Sequence, residues 1–180
     1  MLDGTIEIDE TYVGGRFKNM HGDKRHEARQ RVNMGKTIVA GARERDSGRV
    51  AAEIVSSTDR KTLMEFLNRW VVAGSTVYHD ELASYNSMPF RHSGVNHSGG
   101  QYVDGATHTN GIESFWAILK RAYIGIYHHM SPKHLQRYVN DLCGRTRIRG
   151  LDTIDQMASI VRGMEGQRLT YADLVGTARR

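Results

Sequence analysis

Thr5-Ile6-Glu7-Ile8-Asp9-Glu10-Thr11-Tyr12-Val13-Gly14-Gly15 decides how the rest of the chain is read. The stretch is rich in β-branched residues and alternates in polarity. Alternation puts Ile6, Ile8 and Tyr12 on one face and Glu7, Asp9 and Thr11 on the other, as expected of a strand packed on one side. Gly14-Gly15 ends it. Asp9 therefore projects from the middle of a strand on its polar face. A carboxylate there is most often solvated, and less often belongs to a site.

Outward from this strand, Thr37–Glu44 and Val50–Ser56 read as two more strands, joined by the turn Asp46-Ser47-Gly48 into an antiparallel hairpin. Leu63, Phe66, Leu67, Trp70 and Val71 recur at helical spacing, with Ser57 or Thr58 as the expected cap. Thr76–His79 is a short fourth strand that delivers Asp80, and a weak fifth strand is expected around Arg91–Asn96. Thr109 or Asn110 opens a strong helix, Ser131-Pro132 opens another with Ser as N-cap, and a third runs from Thr153 to Gly163. Three antiparallel strands, a helix and a parallel return make an α/β arrangement compatible with a ribonuclease-H-like fold. The expected organisation is a catalytic domain over residues 1–145 and a C-terminal helical extension over 146–180 packed on it.

The chain has 180 residues, 39% hydrophobic and 25% charged, enough for one domain with a real core. No apolar run approaches membrane-spanning length, and the acidic start MLDGTIEIDE is unlike a signal peptide, so a cytoplasmic protein is expected. A net charge of +5 favours polyanion partners. The basic excess concentrates in residues 16–33, where Arg16, Lys18, Lys24, Arg25, Arg29 and Arg31 face only two acids; this reads as a basic loop able to touch a DNA backbone. One cysteine, Cys143, excludes an internal disulfide and a Cys-rich zinc finger.

Three acids stand out by placement: Asp9 within the first strand, Asp80 at the end of the fourth, and Glu113 in the first turn of the helix opened near Asn110. Strand ends and helix starts meet at one rim of an α/β sheet. Carboxylates gathered there repel one another, and divalent cations with a taste for hard oxygen ligands relieve that repulsion. Two such ions about 4 Å apart can clamp the attacking and leaving oxygens of a phosphoryl transfer. Each acid also has a bland role, since Glu113 in a first turn suits the helix dipole and a carboxylate after a strand often caps a helix.

Longer strings decide between these. Ile8-Asp9-Glu10-Thr11-Tyr12-Val13-Gly14-Gly15, Tyr78-His79-Asp80-Glu81 with Tyr85, and His108-Thr109-Asn110-Gly111-Ile112-Glu113-Ser114-Phe115-Trp116 running to Lys120 resemble the DDE-type transposases of bacterial insertion sequences, in particular the subgroup with an IDETYxGG start and an HTNGIESFW…LKR helix. Tyr127-His128-His129, Ser131-Pro132-Lys133-His134-Leu135 and Arg168-Leu169-Thr170-Tyr171 are similar too, so the resemblance covers nearly the whole chain. It implies a ribonuclease-H-like fold, two Mg²⁺ or Mn²⁺ ions, and cleavage and joining of double-stranded DNA at transposon ends and target. It further implies a homo-oligomer with no nucleotide cofactor. By residue it implies Asp9, Asp80 and Glu113 as the metal-binding triad, 33 residues separating the last two, with Lys120 and Arg121 on DNA phosphate. Some relatives carry Asn as the third ligand, which leaves Asn110 open beside Glu113; Asn110 is equally a helix cap.

The sequence also departs from the pattern. Relatives usually carry an N-terminal DNA-binding region, whereas here the first catalytic strand begins five residues in, and Cys143–Arg149 differs from the usual asparagine-bearing stretch. Two rival expectations follow: a ribonuclease-H-like nuclease without strand transfer, and a degenerate remnant that binds DNA or another subunit without activity.

Overall fold

The computed structural model describes residues 1–15, 21–29, 35–79, 90–94 and 108–175. Its elements run β1 (Thr5–Val13), α1 (Gly22–Arg29), β2 (Thr37–Glu44), β3 (Val50–Val55), α2 (Arg60–Trp70), β4 (Thr76–His79), β5 (Arg91–Gly94), α3 (Asn110–Gly125), α4 (Leu135–Ile148), α5 (Thr153–Met164) and α6 (Tyr171–Val175). The strands form one sheet in the order β3-β2-β1-β4-β5. β1, β2 and β3 pair antiparallel, while β4 lies parallel to β1 and β5 parallel to β4. A parallel neighbour needs a crossover, and α2 supplies it between β3 and β4. The architecture is mixed α/β, with β1 in the centre.

Both faces of the sheet are covered. On one, Leu63, Phe66 and Leu67 of α2 pack on Ile6, Ile8, Ala40, Ala42 and Val77. On the other, Ile112, Phe115, Trp116 and Leu119 of α3 and Leu135 and Val139 of α4 pack on Val13, Val39 and Ala52. The second layer overturns the expectation of a solvated polar face on β1: Glu7 is 1% and Thr11 3% exposed, while Tyr12, expected inside with Ile6 and Ile8, is 38% exposed. A strand buried on both sides has no polar face to offer water.

Local signals were displaced by a residue or more. Asp59, not Ser57 or Thr58, caps α2, its Oδ1 accepting from the Thr62 amide at 2.9 Å. The Ser57 hydroxyl instead donates to the Asp59 carboxylate. Trp70 is not core; its indole N–H donates to Glu53 Oε2 at 3.0 Å. Ser131-Pro132 starts a turn, with α4 beginning only at Leu135. Part of the basic segment expected as a loop forms α1, which has Asp23 in its first turn and Arg29 in its last, where they suit the helix dipole. It has no apolar stripe, so periodicity cannot reveal it. The Cys143 thiol, pushed up to about 11 by burial, is inert as a nucleophile at neutral pH.

The chain divides into two compact units, Met1–Arg147 and Ile148–Arg180. In the second, Asp152 caps α5 by accepting from the Ile154 and Asp155 amides at 2.8 and 3.0 Å. Thr170 and Asp173 cap α6 reciprocally.

Gly41, opposite Asp9 in the β1–β2 ladder, lies under Trp116, and a Cβ there would stand 2.5 Å from the indole ring. Gly41→Ala is expected to lower stability by about 1–3 kcal/mol through overpacking. Urea unfolding checks this, and Trp116→Phe in the same background should recover part of the loss.

The β2–β3 turn carries a second testable contact. Glu44 accepts from Arg49 Nε at 2.8 Å and Nη2 at 2.9 Å and from the Asp3 amide at 2.9 Å. The Arg49 bond is the main cause that lowers its carboxyl to about 2. A carboxyl with a lowered folded-state pKa contributes stability above its unfolded value near 4.5 and loses it as pH falls toward 2. Because Arg49 is two-fifths exposed, about 1–2 kcal/mol of acid-labile stability is expected. Melts of parent and Glu44→Gln between pH 7 and pH 2 should converge at the acid end.

Candidate active site

The site is built on a buried carboxylate that the sequence reading passed over. Glu7 Oε2 accepts from the Ile112 backbone amide at 2.9 Å, and Oε1 accepts from Arg45 Nε at 2.8 Å. His108 Nδ1 stands 3.4 Å from Oε1. Thr109, the N-cap residue of α3, makes no side-chain cap; its hydroxyl donates to Glu113 Oε1 at 2.9 Å instead. The helix start is therefore capped from the sheet, by a strand residue more than a hundred positions earlier. Asn110, expected as a cap, is the first helical residue and is exposed. Gly111 permits the approach: a Cβ there would stand 2.6 Å from Glu7 Oε2 and 2.8 Å from the Arg43 guanidinium carbon.

Asp9 lies two residues beyond Glu7 on the same, α3-facing side of β1. It is half-buried, and its Oδ1 accepts from the Glu10 amide at 2.8 Å. Its ladder partner Gly41 lies under Trp116 and Ile112, so Asp9 is level with the first two turns of α3. Glu113 sits in the first of those turns, exposed. The structure thus puts Asp9 and Glu113 on facing elements at one level. Asp80 lies outside the described residues. The strand leading to it ends at His79, buried at 2%, in a register that sets Tyr78 opposite Glu7. Among the described residues, no group of three His, Cys, Asp or Glu side chains gathers as a metal site.

The basic candidates divide. Lys120 and Arg121 are exposed on α3, Lys120 about two turns beyond Glu113. Arg25 and Arg29 lie on α1, Arg25 half-buried and Arg29 exposed. Lys24 is also on α1; Arg16, Lys18 and Arg31 lie outside the described residues.

Glu7, Arg45 and Gly111 were missed by sequence reasoning. Glu7 and Asp9 are indistinguishable by alternation, and only the fold makes one a cap. Gly111 was a usable signal, because glycine in a first helical turn forfeits helix propensity and hints at a close approach.

Fold and site together define an α/β domain with carboxylates on its central strand and on the helix laid over it. Residues 1–145 match the ISXO2-like transposase domain, and the chain belongs to that family. No curated protein matches the sequence. Among solved structures, one match is a chain of the simian T-cell lymphotropic virus intasome in complex with PP2A regulatory subunit B56 gamma. That match has 13% identity and a TM-score of 0.42, covering 95% of this chain and 51% of that one. The chain thus spans about half the length of that structural match. Among the described residues, no helix is long and apolar enough to cross a membrane.

Glu7→Ala would take the carboxylate acceptor away from Arg45 Nε and the Ile112 amide. A loss of about 3 kcal/mol or more is expected, as when one partner of a buried pair is removed. Hydrogen exchange should show the amides of residues 110–114 losing protection before those of α2.

Proposed function

We propose that residues 1–145 form a ribonuclease-H-like catalytic domain, with 146–180 its helical extension, that cleaves and joins DNA strands in transposition. The strand order β3-β2-β1-β4-β5, antiparallel through the first three and parallel after, supports the fold. The observation that carries the function is Asp9 on the α3-facing side of the central strand, level with the turn that holds Glu113.

In this reading Asp9, Asp80 and Glu113 hold two Mg²⁺ or Mn²⁺ ions. The donor set fits: Asp9 and Glu113 offer hard carboxylate oxygens on facing elements, and the neighbouring acid, Glu7, is already committed to Arg45 and the helix amide. When bound, the ions would supply Lewis-acid charge beside the scissile phosphate. The protein's own part is positional. Glu7 fixes the start of α3, Gly111 and Gly41 let the helix lie close to the sheet, and Glu113 is presented from its first turn. Lys120, Arg121 and the arginines of α1 would neutralise backbone phosphates, so binding weakens as salt rises. Double-stranded DNA is the proposed partner, and a homo-oligomer the proposed acting form.

Glu113 is the proposed third ligand over Asn110, because its full charge answers a pair of dications better than a neutral amide. Plasmid nicking with Mg²⁺ or Mn²⁺ tests this. Asp9→Asn, Asp80→Asn and Glu113→Gln should each abolish nicking with the thermal melt intact, and Asn110→Asp should keep measurable activity. Nicking by Glu113→Gln together with a folded, inert Asn110→Ala would move the third ligand to Asn110. Joining of a supplied 3′-hydroxyl end separates strand transfer from simple hydrolysis.

A further inference from the structure

The segment entering α3 is anchored on both sides of one buried hydroxyl. Before it, Arg45 donates from Nη2 to the His108 carbonyl; after it, Glu7 accepts from the Ile112 amide at 2.9 Å. Thr109 lies between these anchors and is 1% exposed. It occupies the N-cap position, where a threonine oxygen ordinarily accepts from the amide of the second or third helical residue. Ile112 is that third residue, and its amide is already bonded to Glu7. Thr109 itself, at φ −118° and ψ 16°, lies outside the extended conformation that such capping uses. Its hydroxyl makes no cap, and donates instead to Glu113 Oε1 at 2.9 Å.

Glu113 does not need this bond to be tolerated. It is exposed and sits in the first turn, where the helix dipole already suits its charge. What the bond adds is direction. A glutamate side chain on a surface samples many rotamers, and ordering it costs entropy. A hydroxyl whose own backbone is held at two points keeps one carboxylate oxygen in one place. Glu7 makes this possible, because a cap supplied from β1 leaves the threonine hydroxyl for the carboxylate.

We propose that Thr109 is a positioning residue for the metal site: its hydroxyl orients the Glu113 carboxylate so that Glu113 meets a divalent cation through one oxygen and not through both. The proposal rests on the reading of Asp9, Asp80 and Glu113 as metal ligands, and deepens it by naming a residue that selects among cations. An outer hydrogen-bond partner fixes the orientation of a ligating side chain, and its loss weakens metal binding even though it never touches the ion. Selection follows from the oxygen that the hydroxyl engages. Mg²⁺ demands near-ideal octahedral geometry, and the two oxygens of one carboxylate are too close together to fill adjacent corners of an octahedron. Ca²⁺ takes roughly six to eight oxygens in flexible arrangements and accepts a carboxylate by both. Steered by Thr109, Glu113 favours the smaller ion. Set loose from that hydroxyl, it can close on the larger one with both oxygens.

Mn²⁺ binding to the whole chain, followed by the loss of the free-ion paramagnetic resonance signal, tests this without reference to cutting. Thr109→Val keeps the shape of the side chain and removes the donor; Thr109→Ser keeps the donor. Thr109→Val should weaken Mn²⁺ binding about 10- to 100-fold, and Thr109→Ser should hold it within a few-fold of the parent. Competition with Mg²⁺ and with Ca²⁺ should show the preference for Mg²⁺ falling several-fold in Thr109→Val and unchanged in Thr109→Ser. A hydroxyl that only steadied the helix start would weaken both ions alike. In a Glu113→Ala background, Thr109→Val should cost no further Mn²⁺ affinity, because the hydroxyl acts through that carboxylate. Thermal melts check that each variant is folded, and Thr109→Ala replaces Thr109→Val if the valine melts early. A folded donor-less variant that binds Mn²⁺ as the parent does overturns the proposal. So does a Thr109→Ser as weak as Thr109→Val, an unmoved cation preference, or an equal loss with and without Glu113. The catalytic reading is scored apart. Parent binding unmoved by Asp9→Asn and Glu113→Ala sinks the metal site and this proposal with it. Parent binding that those two weaken and Thr109→Val does not sinks the proposal alone.

Discussion

A carboxylate with 1% exposure, in the middle of the central strand, is the constraint from which the rest of the Met1–Arg147 unit follows. Left unanswered, such a group would be neutralised or expelled. Glu7 is answered on one oxygen by Arg45 and on the other by the Ile112 backbone amide in the first turn of α3. Arg45 extends the connection by donating from Nη2 to the His108 carbonyl at 2.5 Å and lying 4.5 Å over the Tyr78 ring. One ion pair therefore ties β1, β4 and the segment entering α3. Apolar packing alone would let a helix slide along a sheet. A directional bond from a fixed carboxylate to one backbone amide sets its position along the axis, and with it the level at which Glu113 is presented.

What was legible in the sequence follows from what each signal measures. The strand at 5–13 and the helix from 110 announce themselves by period, because burial of a face is written into every second or every third and fourth residue. The acids Asp9 and Glu113 were visible because their elements were. Whether a strand is buried on one face or two was not visible. Glu7, Asp9 and Thr11 look alike until α3 is laid over them. The cap of α2 was missed by a residue or two for a related reason. Ser56-Ser57-Thr58-Asp59 offers four cap-competent side chains in a row, and which one caps depends on where Leu63, Phe66 and Leu67 must reach the sheet. Helix α1 escaped because a charged helix carries no apolar stripe.

β1 and α3 run in the same direction, and their lengths agree. From Glu7 to Val13 is about 20 Å of strand at roughly 3.3 Å per residue, and from Gly111 to Tyr123 about 18 Å of helix at 1.5 Å per residue. The helix thus serves as a ruler beside the strand, pinned at its start by Glu7 and held close over its first two turns by Gly111 and Gly41. Side chains separated by a fixed number of residues on either element then keep a fixed separation in space.

Along that ruler the charges change sign. The start holds Glu7, Asp9 and Glu113, of which Glu7 is paired inside the protein; further along α3 stand the exposed Lys120 and Arg121. A DNA strand laid along it meets repulsion at one end and attraction at the other. Without divalent cations the basic end alone can hold phosphate, so in the proposed reading the strand is captured there first. Cations between Asp9 and Glu113 would reverse the sign at the acidic end and let the same strand settle along its whole length. Binding and chemistry would then be separable by metal, because the groups for each sit at opposite ends of one rigid strand–helix pair.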